Sequence, residues 1–199
     1  MSDQTATLET NAAPQTSAAQ DWWRDLDARD RAGRARLKRA DLDAAMIDEA
    51  TLRLFRRLGR RTPRDLSRIA ALATVLAAVR EDTGRAVPFA RQIGFSKLPA
   101  DPQKPDADNK PALSVLRFKR LMSASDDADL ARQLRRAVDL LGGKANVEDI
   151  KRVVLGWHRP ETRRSFAFDY FGAGIAAPSH DTATDDDVAD NSLDPALSA

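Results

Sequence analysis

Apolar side chains recur along this chain every three or four residues, which is the period of a helix with one buried face. In the first half, this period predicts a helix beginning near Gln20, a short one ending near Ala40, a third over residues 44–58 and a short one over Phe89–Ile93. No segment shows the sustained two-residue alternation of a β-strand. The pattern therefore predicts an all-α fold.

A further helix in this half has the clearest start signal. Thr62 can cap it, Pro63 suits its first position, and residues 66–79 are apolar on nearly every face. A helix that is apolar all round is buried on all sides. We expect it at the centre of its half.

Four more helices are predicted in the second half. They begin near Ala112, at Ser125, at Asn146 with Asp149 as its capping partner, and near Pro160. Short connections between amphipathic helices favour antiparallel neighbours. We therefore predict an antiparallel four-helix bundle.

Composition divides the chain into five parts. Four prolines fall within residues 99–111, which we interpret as a mobile connector between a helical part at 20–98 and the bundle at 112–172. The ends, residues 1–19 and 173–199, have too few large apolar residues to build a core, so both are predicted to be disordered. The prediction is thus two small helical parts with disordered termini.

Charge is distributed unevenly along the chain. All 32 Lys and Arg residues lie within residues 20–172, together with 22 of the 30 acidic residues. The body therefore has an excess of ten positive charges, and the tail has six aspartates. A basic body suggests a polyanionic partner, although an arginine-rich surface paired with its own carboxylates is the competing interpretation.

No set of residues suggests catalysis. The chain has no cysteine and two histidines, of which His180 lies in the acidic tail and His158 at a helix end. Glycine-rich phosphate loops are absent, and the aspartate triplets are better explained by helix capping and tail solubility. We predict no enzyme activity, no cofactor and no metal site.

The same sequence gives no sign of export or of membrane insertion. Its N-terminus lacks a basic start and an apolar stretch, and the longest apolar run is shorter than the roughly 18 residues of a membrane span. Together with the absence of cysteine, this predicts a cytoplasmic protein with no membrane partner.

Basic residues cluster on helix faces and helix ends that the core does not need. Such clusters repel one another, and a phosphate backbone would relieve the repulsion and release counterions. Trp22 and Trp23 could stack on bases, but a core role is favoured. The predicted nucleic-acid contacts are Arg34, Lys38, Arg39, Arg57, Arg60, Arg61, Arg117, Lys119, Arg120, Arg132, Arg135, Arg136, Arg163 and Arg164.

The order of several fragments resembles the CasB family, the small subunit of the type I-E CRISPR surveillance complex Cascade. The resemblance covers roughly residues 20–172, and the proline-rich connector and both terminal extensions fall outside the family pattern. The fragments are Trp22-Trp23, RARLKRA at 34–40, VPFARQIG at 87–94, LSVLRFKRL at 113–121, QLRRAV at 133–138, and Arg163-Arg164 leading to Asp169-Tyr170-Phe171.

This resemblance implies a non-catalytic, all-α subunit of an antiviral complex. Its implied partners are other Cascade subunits, a second copy of itself, the guide RNA, and the target and displaced DNA strands, whose R-loop it would stabilise. Base pairing reads the sequence in such complexes, so a backbone-holding subunit needs no base-specific side chains.

Two other functions remain open at this stage. A helical transcription regulator would bind duplex DNA through a recognition helix in the major groove, and no compact helix-turn-helix with a polar recognition face is evident. A protein–protein scaffold would make no nucleic-acid contact at all.

Overall fold

The computed structural model describes residues 17–60, 62–84 and 86–173. The predicted disordered segments lie outside these residues, apart from their inner ends. The predicted helical class is confirmed. The helices are α1 (Ala18–Arg29), α2 (Arg31–Arg39), α3 (Leu42–Ile47), α4 (Glu49–Arg57), α5 (Leu66–Ala78), α6 (Phe89–Ile93), α7 (Val115–Met122), α8 (Asp127–Leu140), α9 (Val147–Gly156) and α10 (Pro160–Tyr170).

Side-chain caps fix the start of several helices. Ser17 and Gln20 form a reciprocal capping box on α1. Asp126, one residue after the predicted start, accepts a hydrogen bond from the Asp129 N–H at 2.7 Å and begins α8. Asn146 caps α9 as predicted. The Asp149 carboxylate, however, turns away from this cap and accepts the Phe89 N–H at 2.7 Å.

One predicted helix is two. Residues 44–58 are divided at Asp48, whose backbone is extended and whose carboxylate accepts the Ala50 N–H at 2.9 Å. Asp48 is therefore the N-cap of α4, and an aspartate favours that position over a helix interior because its oxygen satisfies a free N–H group.

A two-stranded parallel sheet joins the two halves of the chain. Its strands are β1 (Glu81–Asp82) and β2 (Lys144–Ala145). Two residues are too short to show the alternation by which a strand is found in sequence.

Helix α5 is the centre of the molecule. Residues 69–79 are all buried, and α5 packs against α2, α3 and α4 from the first half and against α8 and α9 from the second. The apolar residues of both halves form one continuous core. This helix was predicted at the centre of the first half, and it lies at the centre of the whole described fold.

The predicted four-helix bundle is not confirmed. Helices α8 and α9 pack mainly against α5, and α10 packs mainly against α6. Asn109, inside the predicted connector, is buried and accepts the Ser96 N–H at 3.0 Å. The boundaries at residues 98 and 111 stay a prediction.

Both tryptophans of α1 belong to the core, as favoured from the sequence. Their indole N–H groups donate to carbonyl oxygens, Trp22 to Ala50 at 2.9 Å and Trp23 to Val79 at 3.0 Å. These bonds attach α1 to α4 and to the end of α5.

Candidate nucleic-acid interface

Three arginines line one groove between α7 and α8. Helix α7 buries Val115, Phe118 and Leu121, which leaves Arg117 and Arg120 on its outer face, and Arg136 lies on the exposed face of α8. The groove has a volume of about 430 Å³. Its other lining residues are Leu113, Gln133, Asp139 and Leu140.

The charges in this groove, hereafter the α7–α8 groove, are unbalanced. Arg117, Arg120 and Arg136 form no ion pair with any described carboxylate, and Asp139 is the one acidic residue among those lining the groove. A guanidinium presents a planar fork of donors that matches the oxygens of a phosphate. The groove can therefore bind a polyanion without first breaking internal salt bridges.

Two predicted residues lie on the same helices outside the groove lining. Lys119 is exposed on α7 and makes no ion pair within the described residues. Arg132 is exposed on α8 but forms an ion pair and hydrogen bond with Asp129. An exposed pair of this kind contributes little to stability and can exchange for another anion.

Arg135 contacts the protein itself. Its guanidinium donates to the Ala40 carbonyl at 3.2 Å and to the Lys38 carbonyl, both at the end of α2. The sequence suggested that the fold does not need Arg135 because the apolar face of α8 is complete without it. That expectation is wrong, because this side chain satisfies free carbonyls at a helix C-terminus.

Arg34 also has internal partners. It donates to the Ala77 carbonyl at 3.1 Å and to the Val79 carbonyl at the end of α5, and it pairs with Asp27. These contacts engage its guanidinium, so we leave Arg34 out of the proposed interface.

Arg163 is used in the same way at the end of α9. Its Nε donates to the Trp157 carbonyl at 2.9 Å, and its guanidinium lies 5.4 Å from the centre of the Trp157 ring. The helix dipole disfavours a cation in the first turn of α10. The contacts of Arg163 with Trp157 explain why one lies there.

Two more predicted residues have carboxylate partners. Arg57 pairs with Asp25, and its hydrogen bond lowers the pKa of that carboxyl group below the usual value. Arg164 lies 3.9 Å from Glu161, and both side chains are about three-quarters exposed. The second contact is too loose to hold Arg164 away from a ligand.

The remaining predicted residues lie apart from the α7–α8 groove lining. Lys38 is half-buried and Arg39 exposed at the end of α2. Arg60 lies at a second groove, together with three residues that are not among the predicted nucleic-acid contacts: Arg68, His158 and Arg159. No local pattern links them, since they come from segments about ninety residues apart. Arg61 lies outside the described residues.

The described residues hold no candidate metal cluster and no candidate membrane-spanning helix. Among the described residues, no three His, Asp or Glu side chains gather closely enough to hold a metal ion. No described helix has the length and apolar character needed to cross a membrane.

A comparison with protein families identifies the chain. The profile of the family described as CRISPR-associated protein Cse2 matches residues 33–171. The chain belongs to the Cse2 family. This family, also called CasB, is the type I-E small subunit, so the resemblance found in the sequence fragments is confirmed. The matched residues include both grooves, whereas Trp22 and Trp23 precede them.

Comparison with solved structures finds the same fold in Cascade. A chain in the crystal structure of E. coli Cascade bound to a PAM-containing dsDNA target superposes with a TM-score of 0.57 and 18% sequence identity. The match covers 78% of this chain and 95% of that chain. No curated protein matches the sequence significantly. The two chains thus share a fold at low sequence identity.

Proposed function

We propose that this chain is a non-catalytic small subunit of a type I-E Cascade complex and holds nucleic-acid backbone in the α7–α8 groove. The observation that carries the proposal is the convergence of Arg117, Arg120 and Arg136 on one groove, where none of them pairs with a described carboxylate. Membership of the Cse2 family supports the complex, and the charge of the groove supports the ligand.

A phosphate backbone fits the groove better than a small anion does. Three arginines from two helices line a groove of about 430 Å³. This volume is far larger than one small anion fills, and it can hold an extended ligand. Gln133 adds an amide, and Leu113 and Leu140 supply apolar contact. Contacts of this kind position a strand without reading its bases, which is sufficient where a guide RNA reads the sequence.

The proposed nucleic-acid partners are the guide RNA, the target strand and the displaced strand, and holding them would stabilise the R-loop. The related chain of known structure comes from a Cascade bound to double-stranded DNA, which supports this choice. A backbone-holding role requires no catalytic group of its own.

Protein partners are proposed as well, namely other Cascade subunits and a second copy of this chain. Large apolar side chains that are more than half exposed support them, because a subunit interface would cover such surface. They are Ile47, Leu98, Leu116 and Phe168.

The test is a salt titration of single-stranded DNA binding with the variant Arg117→Ala/Arg136→Ala. If each arginine neutralises one phosphate, the log–log slope should flatten by about 1.4, from roughly 0.7 per contact. The matched control is Arg31→Ala/Arg56→Ala, which removes two exposed arginines that line neither groove.

Each alternative function predicts a different result. Loss of binding to one duplex sequence alone would favour a transcription regulator. Unchanged DNA binding with impaired assembly of the complex would favour a scaffold. A folded wild-type chain that binds no single-stranded DNA at low salt would contradict the proposal.

A further inference from the structure

A second basic groove lies where the start of α5, the end of α9 and the start of α10 meet. It has a volume of about 200 Å³ and is lined by three arginines and one histidine, with a single acidic residue among the described residues around it. We call it the α5–α10 groove. Its lining is Arg60, Asp65, Arg68, Ile69, Leu155, His158 and Arg159.

Arg68 lines this groove and forms an ion pair with Asp127 at the start of α8. Its Nε is buried and has no hydrogen-bond acceptor among the described residues. The nearest carboxylate oxygen, on Asp127, is 3.7 Å away, which is beyond hydrogen-bond distance. Asp127 also accepts the Ser67 hydroxyl at 2.7 Å. The Arg68 side chain is 31% exposed, so a bound oxyanion would meet this exposed part of it and not the buried Nε.

The other two arginines of the groove, unlike Arg68, are open to a ligand. Arg60 and Arg159 are exposed and form no ion pair with the described carboxylates. Asp65, the acid of the groove, accepts the Thr62 hydroxyl at 2.7 Å and pairs with neither arginine. The groove therefore has net positive charge over a small volume.

Two helix N-termini lie at this groove. Asp65 and Arg159 are the N-cap residues of α5 and α10, and neither side chain caps a backbone N–H of its own helix. The N-terminal end of a helix carries partial positive charge and favours an anion. A 3-10 turn over Pro63–Asp65 leads into α5 and the Asp65 carboxylate offsets the partial charge there, so the terminus of α10 is the one that reinforces the arginines.

The side chains of His158 and Arg159 are not needed to cap the C-terminus of α9. Helix α9 ends at Gly156, whose carbonyl accepts the Arg159 backbone N–H at 2.8 Å, and the next carbonyl, of Trp157, accepts Arg163 Nε at 2.9 Å. Because these oxygens already have donors, the side chains of His158 and Arg159 remain free to meet a ligand.

We propose that the α5–α10 groove binds a phosphate of a nucleic-acid backbone, at a site separate from the α7–α8 groove. Arg68 contacts Asp127 at the start of α8, and Arg136 follows Asp127 by nine residues. Nine residues are about 2.5 helical turns and about 14 Å, on opposite sides of α8. The two grooves therefore hold separate segments of nucleic acid.

This inference rests on the proposed function, and its test uses the same random-sequence single-stranded DNA. The variant Arg60→Ala/Arg159→Ala removes the two exposed cations and leaves the buried one in place. The salt slope should flatten by about 1.4 relative to wild type. Combining it with Arg117→Ala/Arg136→Ala should give additive losses, since separate sites act independently.

Three further measurements separate a lost contact from misfolding. Thermal melting should be unchanged in Arg60→Ala/Arg159→Ala and in the control Arg31→Ala/Arg56→Ala. The imidazole NMR signals of His158 should shift when DNA is added to wild type and to Arg117→Ala/Arg136→Ala, and not when it is added to Arg60→Ala/Arg159→Ala. Arg68→Lys should weaken binding several-fold with little change of slope, because the charge is kept and the planar fork is lost.

The outcomes separate the two proposals. An unchanged slope for Arg60→Ala/Arg159→Ala, with a flattened slope for Arg117→Ala/Arg136→Ala, overturns this inference and leaves the proposed function standing. Unchanged slopes for both overturn the proposed function. Normal DNA binding with impaired assembly of Cascade would show that the α5–α10 groove meets an acidic protein surface, and would also overturn the inference.

Discussion

Adjacent arginines on α8 have different roles. Successive residues of a helix point about 100° apart, so Arg135 faces the end of α2 while Arg136 faces the α7–α8 groove. The contact of Arg135 crosses 97 residues of sequence to the Lys38 carbonyl. Charge and position in the sequence are nearly the same for both residues, and only their partners differ.

Single substitutions should separate the two roles. Arg135→Ala leaves two carbonyls at the end of α2 without their donor and should lower the free energy of unfolding by about 1–3 kcal/mol. Arg136→Ala should change it by no more than about 0.5 kcal/mol, as at other surface positions. Urea unfolding measures both.

DNA binding should rank Arg135→Ala and Arg136→Ala in the opposite order to stability. The salt slope should flatten for Arg136→Ala and stay at the wild-type value for Arg135→Ala in the folded protein. Equal loss of stability in the two variants would contradict the assigned contacts.

At the scale of elements, a small set of hydrogen bonds to backbone carbonyls joins the segments at α6, α7 and α10. The Phe95 N–H donates to the Tyr170 carbonyl at 2.7 Å, and the Tyr170 hydroxyl donates to the Leu113 carbonyl at 2.6 Å. Burial raises the pKa of this hydroxyl well above its usual value, so it remains a donor even at an alkaline pH at which a free tyrosine would ionise. Leu113 in turn lines the α7–α8 groove, so these contacts position one wall of it.

Gly94 allows this close approach. A Cβ atom at residue 94 would lie 2.1 Å from the Tyr170 carbonyl oxygen, which is backbone and has little room to move. Gly94→Ala should therefore force α6 and α10 apart and lower the free energy of unfolding by roughly 1–3 kcal/mol, the usual cost of overpacking. Denaturant unfolding measures this free energy. A Gly94→Ala variant as stable as the wild-type protein would show that α6 and α10 are not in contact.

At the scale of the whole molecule, the last described residues before the acidic tail lie close to the α7–α8 groove. The Phe171 ring lies 5.4 Å from that of Phe118 on α7, centre to centre, and Tyr170 bonds to Leu113 of the groove. Residues 174–199 carry six aspartates and no Lys or Arg. A tethered segment of opposite charge competes with nucleic acid at high effective concentration.

Deleting residues 174–199 should strengthen non-specific binding of single-stranded DNA several-fold at low salt. The gain should shrink at high salt, where screening weakens the attraction between tail and groove. Replacing the six aspartates by asparagine in the full chain is the matched control and should have the same effect. Unchanged low-salt affinity, or loss of the folded state on deletion, would contradict this prediction.

Local rules made most of the helices predictable from the sequence. Apolar spacing and capping residues act over three or four positions, so the bounds of α6, the cap at Asn146 and the burial of α5 could be inferred without a structure. The ordered fragments also identified the family.

What the sequence by itself determined is therefore the helical class, the central helix, the family and a basic body. Which cations are free to bind was decided by the tertiary structure, because a guanidinium reaches partners that packing brings near and that no local pattern reveals. Packing gave Arg34 and Arg135 internal partners and left Arg117 and Arg136 open. It also brought Arg68 beside Arg159, from opposite halves of the chain, into a groove that neither segment indicates alone.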